Sequence, residues 1–357
     1  MSDSLFKHSS IMFSSIMIAN VFAYIFHIFM ARSLGPALYG EFGSLLAIFM
    51  ILAVPVGTIQ TVITKYIARF HSKNEEGKVG SLIFSSIRKL FIYGLFAFIL
   101  VSVLSPFIAS FLKIDSSTPV IIVGLTVLFS VLLPVNRGAL QGLQKFNALA
   151  INNILESIFR LLLGVVLVVF GFGVNGALLA FGLGYFIAFL IAFISLKKYF
   201  NKRDNKIDVE EIYKFTLPVF LAVLFINLIV NLPTVFIKHF YSSEFTGLWN
   251  VALTLARIIL FVSSSVSLVM FSKVSSLENL KEKKEVFKKS LGYVVLSSLS
   301  ISLIFFFFSE PILLILFGQE YLNGAVILKW LGFGIGVVSL FQVIIYNILG
   351  SKNEKNT

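Results

Sequence analysis

Predominantly apolar runs, each about 20 residues long, recur along the whole of this sequence. They cover residues 9–31, 42–64, 90–112, 119–140, 148–170, 175–196, 215–237, 246–270, 288–308 and 325–348. A helix of this length matches the roughly 30 Å hydrocarbon layer of a bilayer, and in lipid an open chain satisfies its backbone hydrogen bonds only as a helix. The sequence therefore predicts an all-α polytopic membrane protein with about ten transmembrane helices.

The composition agrees with this fold class and excludes several kinds of site. Hydrophobic residues make up 58% of the chain and charged residues 13%, whereas a soluble domain is about 25% charged. The chain has no cysteine, and its four histidines are scattered. Disulfides and thiolate metal sites are therefore excluded, no metal-ligand spacing is present, and no cofactor is expected.

Lysine and arginine are concentrated in alternate segments between the apolar runs. The basic segments are 65–78, 136–147, 196–214, 272–289 and the carboxyl-terminal tail; the segments poor in charge are 32–40, 113–119, 171–176, 238–247 and 309–324. The positive-inside rule places the basic segments and the amino terminus in the cytoplasm. We therefore interpret the net charge of +12 as membrane topology rather than nucleic-acid binding, and expect a multi-pass protein of the cytoplasmic membrane.

A weak internal repeat predicts two lobes. Residues 226–255 align with residues 19–48 at an offset of 207, which pairs Asn20 with Asn227 and Gly40 with Gly247. Both copies have the same orientation, so we expect a parallel repeat about an axis along the membrane normal. The first lobe comprises residues 1–206 with six helices, and the second comprises residues 207–357 with four. Because the second copy stops before the counterparts of helices five and six, we expect a truncated second lobe.

Three stretches carry a resemblance to a known family. They are "MARSLGPALYGEFGSLLAI" at 30–48, "TKYIARFHSK" at 64–73 and "NRGALQGLQKFNALAINNILESIFRLLLG" at 136–164. In order and spacing they resemble polysaccharide transporters of the multidrug/oligosaccharidyl-lipid/polysaccharide exporter superfamily. The resemblance implies a flippase for lipid-linked oligosaccharides, such as O-antigen or teichoic-acid units. It also implies membrane lipids, and glycosyltransferases or a polymerase of the same pathway, as partners.

Three polar residues interrupt the fifth run. Asn153, Glu156 and Arg160 are three and four residues apart and so share one helical face. Arg160 lies roughly 18 Å into the run, near the bilayer midplane. Two interpretations are open: an internal ion pair that fixes this helix against a neighbour, or the polar wall of a cavity in which Glu156 orients Arg160.

Arg257 lies in the middle of the eighth run, with no acidic residue within one turn. It either pairs with a residue of another helix, such as Glu156, or forms an anion site, because a guanidinium suits phosphate and keeps its charge. Asn20 and Asn227 either bond to neighbouring helices or line a cleft and bind sugar hydroxyls. The sharper hypothesis is a cavity for the pyrophosphate and sugar of a lipid-linked oligosaccharide, lined by Arg160, Arg257, Glu156, Asn153, Asn20 and Asn227.

Three further residues are candidates for a gate or for substrate access. Arg32 and Glu41 flank the first outer turn, where they either cap helices and pair at the surface or form a gate between the lobes. Arg137 lies at the inner end of the fourth run, where it either meets lipid headgroups or helps to admit an anionic substrate from the inner leaflet.

The leading functional hypothesis is a flippase that works by alternating access and is not an enzyme. The alternative is a drug/cation antiporter of the same superfamily, which needs a buried acidic residue in the first lobe, where Glu156 is the only candidate. A membrane glycosyltransferase would need acidic residues or a large loop on the outer face, and Asp115 and Glu244 stand alone in short loops. A degenerate, non-transporting member of the family also stays open, because the second lobe lacks two helices.

Overall fold

The computed structural model describes residues 2–200, 217–277 and 279–351, and almost all of these are helical, with no strand among them. The α-helices in this part of the chain are α1 (Ser2–Leu52), α2 (Pro55–Ser72), α3 (Glu76–Phe111), α4 (Thr118–Gly142), α5 (Phe146–Leu167), α6 (Gly173–Phe200), α7 (Leu217–Phe240), α8 (Ser243–Ser276), α9 (Leu280–Leu316) and α10 (Ala325–Ser351). A π-helical segment, Val168–Phe172, precedes α6, and a short 3-10 helix, Gln319–Gly324, precedes α10.

Helix α1 turns back on itself at Gly35. Its 51 residues would extend about 75 Å as a straight helix, more than twice the hydrocarbon thickness of a bilayer. Gly35 has φ 71° and ψ 171°, a conformation that glycine adopts without the penalty of a side chain. The turn brings Nδ1 of His27 to 3.1 Å from the hydroxyl of Tyr39. Helix α1 therefore has a first arm before Gly35 and a second arm after it.

The junction of α5 and α6 also contains a turn, and the two turns bring the number of membrane crossings to about ten. Gly171 and Gly173 have positive φ angles of 87° and 51°. Within the described residues, eight helical stretches are long and apolar enough to cross a bilayer, and two of these contain the turns. The prediction of an all-α polytopic membrane protein with about ten transmembrane helices is confirmed.

Six of these crossings precede the segment 201–216 and four follow it. We call α1–α6 the amino-terminal half and α7–α10 the carboxy-terminal half. The predicted boundary between the lobes, at residues 206 and 207, lies outside the described residues, so the two-lobe division stays a prediction. Helix α1 connects the halves, because it packs against α5 on one side and against α7 and α8 on the other.

The two copies of the predicted repeat meet at a close contact between backbones. Ser242, the residue before α8, lies 207 positions after Gly35, so both copies turn at the same place. A Cβ atom added to Gly247 would overlap the carbonyl oxygen of Pro36, and one added to Gly40 would overlap that of Ser243. Only glycine allows the second arm of α1 and the start of α8 to approach this closely.

Buried apolar residues show on which side the halves are joined. We call the side with the turns at Gly35 and Ser242 the turn side, and the opposite side, with the α2–α3 and α4–α5 connections, the loop side. One large cluster joins both halves through the turn side and the middle of the molecule, including Tyr39 and Tyr321. Two smaller clusters each belong to a single half at the loop side. The halves are therefore packed together on the turn side and separate towards the loop side.

We expect Gly247→Ala to lower stability, because the added Cβ would push α8 away from the backbone of Pro36. The cost expected for such overpacking is about 1–3 kcal/mol, measured as thermal unfolding of the purified protein in detergent. The matched control is Gly292→Ala, since Gly292 is exposed on α9 with open space around the added atom. Equal unfolding midpoints for the two variants would show that the close approach is not needed.

Candidate substrate cavity

A cavity of about 470 Å³ lies between the two halves. Its walls come from α1, α5, α6, α7, α8 and α10, so neither half forms it alone. Apolar side chains such as Phe181 and Phe261 cover part of it. The polar and ionisable residues that line it are Asn20, Tyr24, His27, Arg160, Asn227, Asn231, Thr254, Arg257, Ser264 and Gln342.

Four of the six residues predicted for a substrate cavity line this one space. Asn20 and Arg160 come from the amino-terminal half, on α1 and α5, and Asn227 and Arg257 come from the carboxy-terminal half, on α7 and α8. The helices thus bring together two guanidinium groups that are about 100 positions apart in the sequence. The role of these residues in binding substrate stays a prediction.

Glu156 is buried behind Arg160 and does not line the cavity. Its side chain forms ion pairs with two guanidinium groups: Oε1 with Arg160, and Oε2 with Nη2 of Arg137 at 2.8 Å. Glu156 is only 5% exposed, and a carboxylate at such a site is tolerated because it is paired. One negative charge is shared by two positive charges, so this cluster keeps a net positive charge.

The guanidinium of Arg160 is held in place before any ligand arrives. Glu156 forms an ion pair with its Nη2, and its Cζ atom lies over the rings of Phe181 and Tyr185, at 4.4 and 5.3 Å from the ring centres. Cation–π contacts of this kind stabilise a desolvated cation. The group is therefore oriented by the protein rather than by its ligand.

Arg257 is satisfied by a neutral partner. Its Nη2 donates to Oδ1 of Asn231 at 2.7 Å, and Nδ2 of Asn231 donates to the backbone oxygen of Asn227 at 3.0 Å. No carboxylate forms an ion pair with Arg257 in the described part of the chain. The structure therefore gives Arg257 an amide partner instead of Glu156, and its positive charge is not compensated.

Neither Asn153 nor its neighbour Asn152 lines the cavity, but Asn152 belongs to the charge cluster of Glu156. Asn153 does not line the cavity; its backbone oxygen accepts a bond from Ser157. Asn152 is fully buried, accepts from Nε of Arg137 at 2.8 Å and donates to the backbone oxygen of Ala188 at 2.7 Å. Because 152, 156 and 160 are four apart, the helical spacing was compatible with Asn152 as well.

Arg137 lies near the predicted end of α4, and its side chain has partners that the sequence did not indicate. The prediction placed it at the inner end of α4, among lipid headgroups or at the path of substrate access. In the structure its side chain is 15% exposed and is bound to Glu156 and Asn152. Arg137 is therefore part of the buried charge cluster, where the carboxylate offsets the cost of burying a guanidinium. Its role in substrate access stays a prediction.

The two predicted gate residues lie on the turn side. Arg32 donates from Nε to the backbone oxygen of Leu316 at 2.9 Å and from Nη2 to that of Ile315 at 2.6 Å. It thus caps the last turn of α9, where free carbonyls favour a cation, and ties α1 to the carboxy-terminal half. Glu41 is half-buried and lies near Lys238 of α7. Their role as a gate stays a prediction.

Several residues that line the cavity were not predicted from the sequence. For some of them, the spacing from a predicted residue indicates that both lie on the same helical face. Tyr24 and His27 follow Asn20 by four and seven positions, so all three lie on one face of α1. Asn231 follows Asn227 by four positions on α7 in the same way. Ser264 follows Arg257 by seven positions on α8, but the neighbouring serines hide this spacing. Gln342 has no such signal, because it is an isolated polar residue of α10.

Comparison with known proteins identifies the family. The sequence profile of the family described as "Polysaccharide biosynthesis protein" matches residues 5–275. The chain belongs to this family. The resemblance stated from the sequence is thereby confirmed at the level of the family.

Two relatives and one solved structure are similar to this chain. An uncharacterized membrane protein of Methanocaldococcus jannaschii is 24% identical over 305 residues, which is 79% of this chain and 70% of that protein. The capsular polysaccharide biosynthesis protein CapF of Staphylococcus aureus is 26% identical over 230 residues; the match spans 61% of this chain and 57% of CapF. An inward-facing multidrug resistance MATE family transporter of the MOP superfamily has the same fold, with a TM-score of 0.71, 16% identity, and coverage of 96% of this chain and 86% of that one.

We expect Glu156→Gln to destabilise the protein strongly, because two buried guanidinium groups would lose their shared carboxylate. Breaking a buried ion pair from one side costs roughly 3–5 kcal/mol, which thermal unfolding in detergent would detect. The control is Glu285→Gln, because Glu285 pairs with Lys289 at the surface, with side chains 64% and 67% exposed. An unfolding midpoint for Glu156→Gln as high as that of the control would contradict the structural role of the cluster.

Proposed function

We propose that this protein binds the diphosphate headgroup of a lipid-linked oligosaccharide between its halves and moves it across the membrane by alternating access. The observation that carries the proposal is that Arg160 and Arg257, from opposite halves, line one cavity. A guanidinium offers a planar fork of donors that matches phosphate oxygens. Two such groups, facing one space, suit the two phosphates of a diphosphate.

The charge balance of the cavity favours an anion. Glu156 compensates only one of the two arginines in its cluster, and Arg257 is bound to the neutral Asn231. Placing the negative headgroup against these cations would remove much of the electrostatic cost of carrying it through a low-dielectric layer. The polyprenyl tail would stay in the surrounding lipid.

The rest of the lining suits a sugar. The amides of Asn20, Asn227 and Gln342 line the same cavity as the rings of Tyr24 and Phe261. Amides donate hydrogen bonds to hydroxyl groups and accept them, and aromatic rings cover the apolar faces of sugars. Ligand pockets usually combine a few polar groups with a mainly apolar lining, as this cavity does. We therefore assign the sugar next to the diphosphate to this region.

Alternating access agrees with the way in which the halves are packed. They are joined on the turn side and separate towards the loop side. The positive-inside rule assigns the loop side and the amino terminus to the cytoplasm, so this state would receive substrate from the inner leaflet of the cytoplasmic membrane. Release on the other side would require the Arg32–α9 contact and the Gly40–Gly247 contact to open.

A drug/cation antiporter fits the site less well. A cation site in a membrane needs a carboxylate that is free to bind a proton or an ion. None of the described residues that line the cavity is acidic, and Glu156 is occupied by two arginines. We also infer transport rather than an enzymatic reaction, with the glycosyltransferases or polymerase of the same pathway as partners that make and use the substrate.

A translocation assay in vesicles tests the proposal. We expect the protein to move a fluorescent prenyl-diphosphate-linked sugar between leaflets, measured as loss of protection from a membrane-impermeant quencher. Arg257→Gln should slow translocation by about 10- to 100-fold, because a hydrogen bond to a charged group contributes about 1.5–3 kcal/mol.

The matched control for this experiment is Arg88→Gln, since Arg88 is exposed on α3 and is not part of the cavity. It should translocate at the rate of the unmodified protein. A folded Arg257→Gln variant with an unchanged rate, or an unmodified protein with no translocation, would overturn the proposed function.

A further inference from the structure

The described residues that line the cavity include one histidine, His27. It lies on the first arm of α1 and lines the same space as Arg160 and Arg257, and both guanidinium groups are near enough to act on its ring electrostatically. Its Nδ1 is 3.1 Å from the hydroxyl of Tyr39. Its Nε2 forms no hydrogen bond with the described residues, so this nitrogen is available to a ligand.

The surroundings of His27 contain cations and phenols but no carboxylate among the described cavity residues. Helix α7 contributes amides, α10 contributes the amide of Gln342, and α6 contributes the ring of Phe181. The titratable and charged groups that face His27 are Tyr24 and Tyr39 of α1, Arg160 of α5 and Arg257 of α8.

We propose that His27 binds a proton when an anionic headgroup occupies the cavity, so that the binding of the anion and of the proton are linked at this residue. The inference rests on the proposed function, because it takes the ligand to be a phosphate anion. In the empty cavity a third positive charge would be opposed by the two guanidinium groups. A diphosphate cancels their charge and offers an oxygen that accepts a bond from Nε2–H, and histidine is the side chain that changes charge most readily near neutral pH.

The hydrogen bonds around Tyr39 allow this change without movement of the rings. The hydroxyl of Tyr39 lies between Nδ1 of His27 and, at 3.5 Å, Oγ1 of Thr254. With a neutral His27, the hydroxyl donates to Nδ1. With a protonated His27, Nδ1–H donates to the oxygen of Tyr39, and the hydroxyl hydrogen rotates towards Thr254. Both states of the imidazole therefore keep a partner in a site where an unpaired polar group is costly.

Proton uptake on ligand binding tests the inference directly. The ligand is farnesyl diphosphate, and calorimetry at pH 7 in buffers of different ionisation enthalpy gives the number of protons taken up per ligand bound. The full chain should take up more protons than His27→Gln, by as much as about one, because glutamine keeps hydrogen-bonding groups but does not titrate. Between pH 6 and 8 the ratio of the two affinities should change by up to about tenfold per linked proton and pH unit.

Two controls isolate His27 from the other titrating groups. His71→Gln removes an exposed histidine at the end of α2 and should behave as the unmodified protein. The ligand's own ionisation is common to all variants and cancels in their difference. Farnesol, which lacks the phosphates, should cause no proton uptake.

Every outcome of this experiment decides the inference. Equal proton uptake by the unmodified protein and His27→Gln would overturn it, while weaker binding by Arg257→Gln in the same assay would leave the proposed function standing. If His27→Gln does not fold, Tyr39→Phe replaces it, and undiminished uptake in that variant would count against the inference. If farnesyl diphosphate does not bind to the unmodified protein, the inference fails together with the anion site.

Discussion

The cost of a bare guanidinium group inside a membrane governs the arrangement of this protein. Arg137 and Arg160 share the carboxylate of Glu156, which is buried between α4 and α5. Arg257 has only the amide of Asn231. Each of these three arginines thus has a polar partner, and the cavity still keeps a positive charge. The sign of the net charge at the cavity thus depends on how the charged groups are paired, since the number of arginines alone does not define it.

Backbone geometry brings these charges to one place. A positive φ at Gly35 lets α1 fold back, which places His27 against Tyr39 and puts Asn20 on the wall of the cavity. The contact between Gly40 and Gly247 then draws the second arm of α1 against α8, the helix that carries Arg257. Bulkier residues at these positions would force the second arm of α1 away from the start of α8.

Helical spacing predicted some contacts of the candidate site and not others. Spacing placed Glu156 and Arg160 on one face of α5, and the structure pairs them. It did not choose between Asn152 and Asn153, because a rotation of one residue about the helix decides which one faces α4 and α6. It also gave no partner for Arg137, since the position of a residue along a run does not tell whether a carboxylate lies on the neighbouring helix. Those choices depend on interhelical contacts, which no periodicity within one run records.

By itself, the sequence determined the membrane-embedded helical fold and the approximate number of crossings, because apolar length and backbone hydrogen bonding in lipid leave one solution. The family followed from the resemblance of three stretches of the sequence. The sequence also indicated which polar and charged residues lie deep in the membrane-spanning runs and are therefore candidates for a functional site. Only the tertiary structure decided that Arg160 and Arg257 line the same cavity, that Glu156 is buried behind Arg160, and that His27 lines this cavity as well. The reason is that burial is a property of single segments, whereas the meeting of charges from distant helices depends on the rotation and packing of each helix against the others.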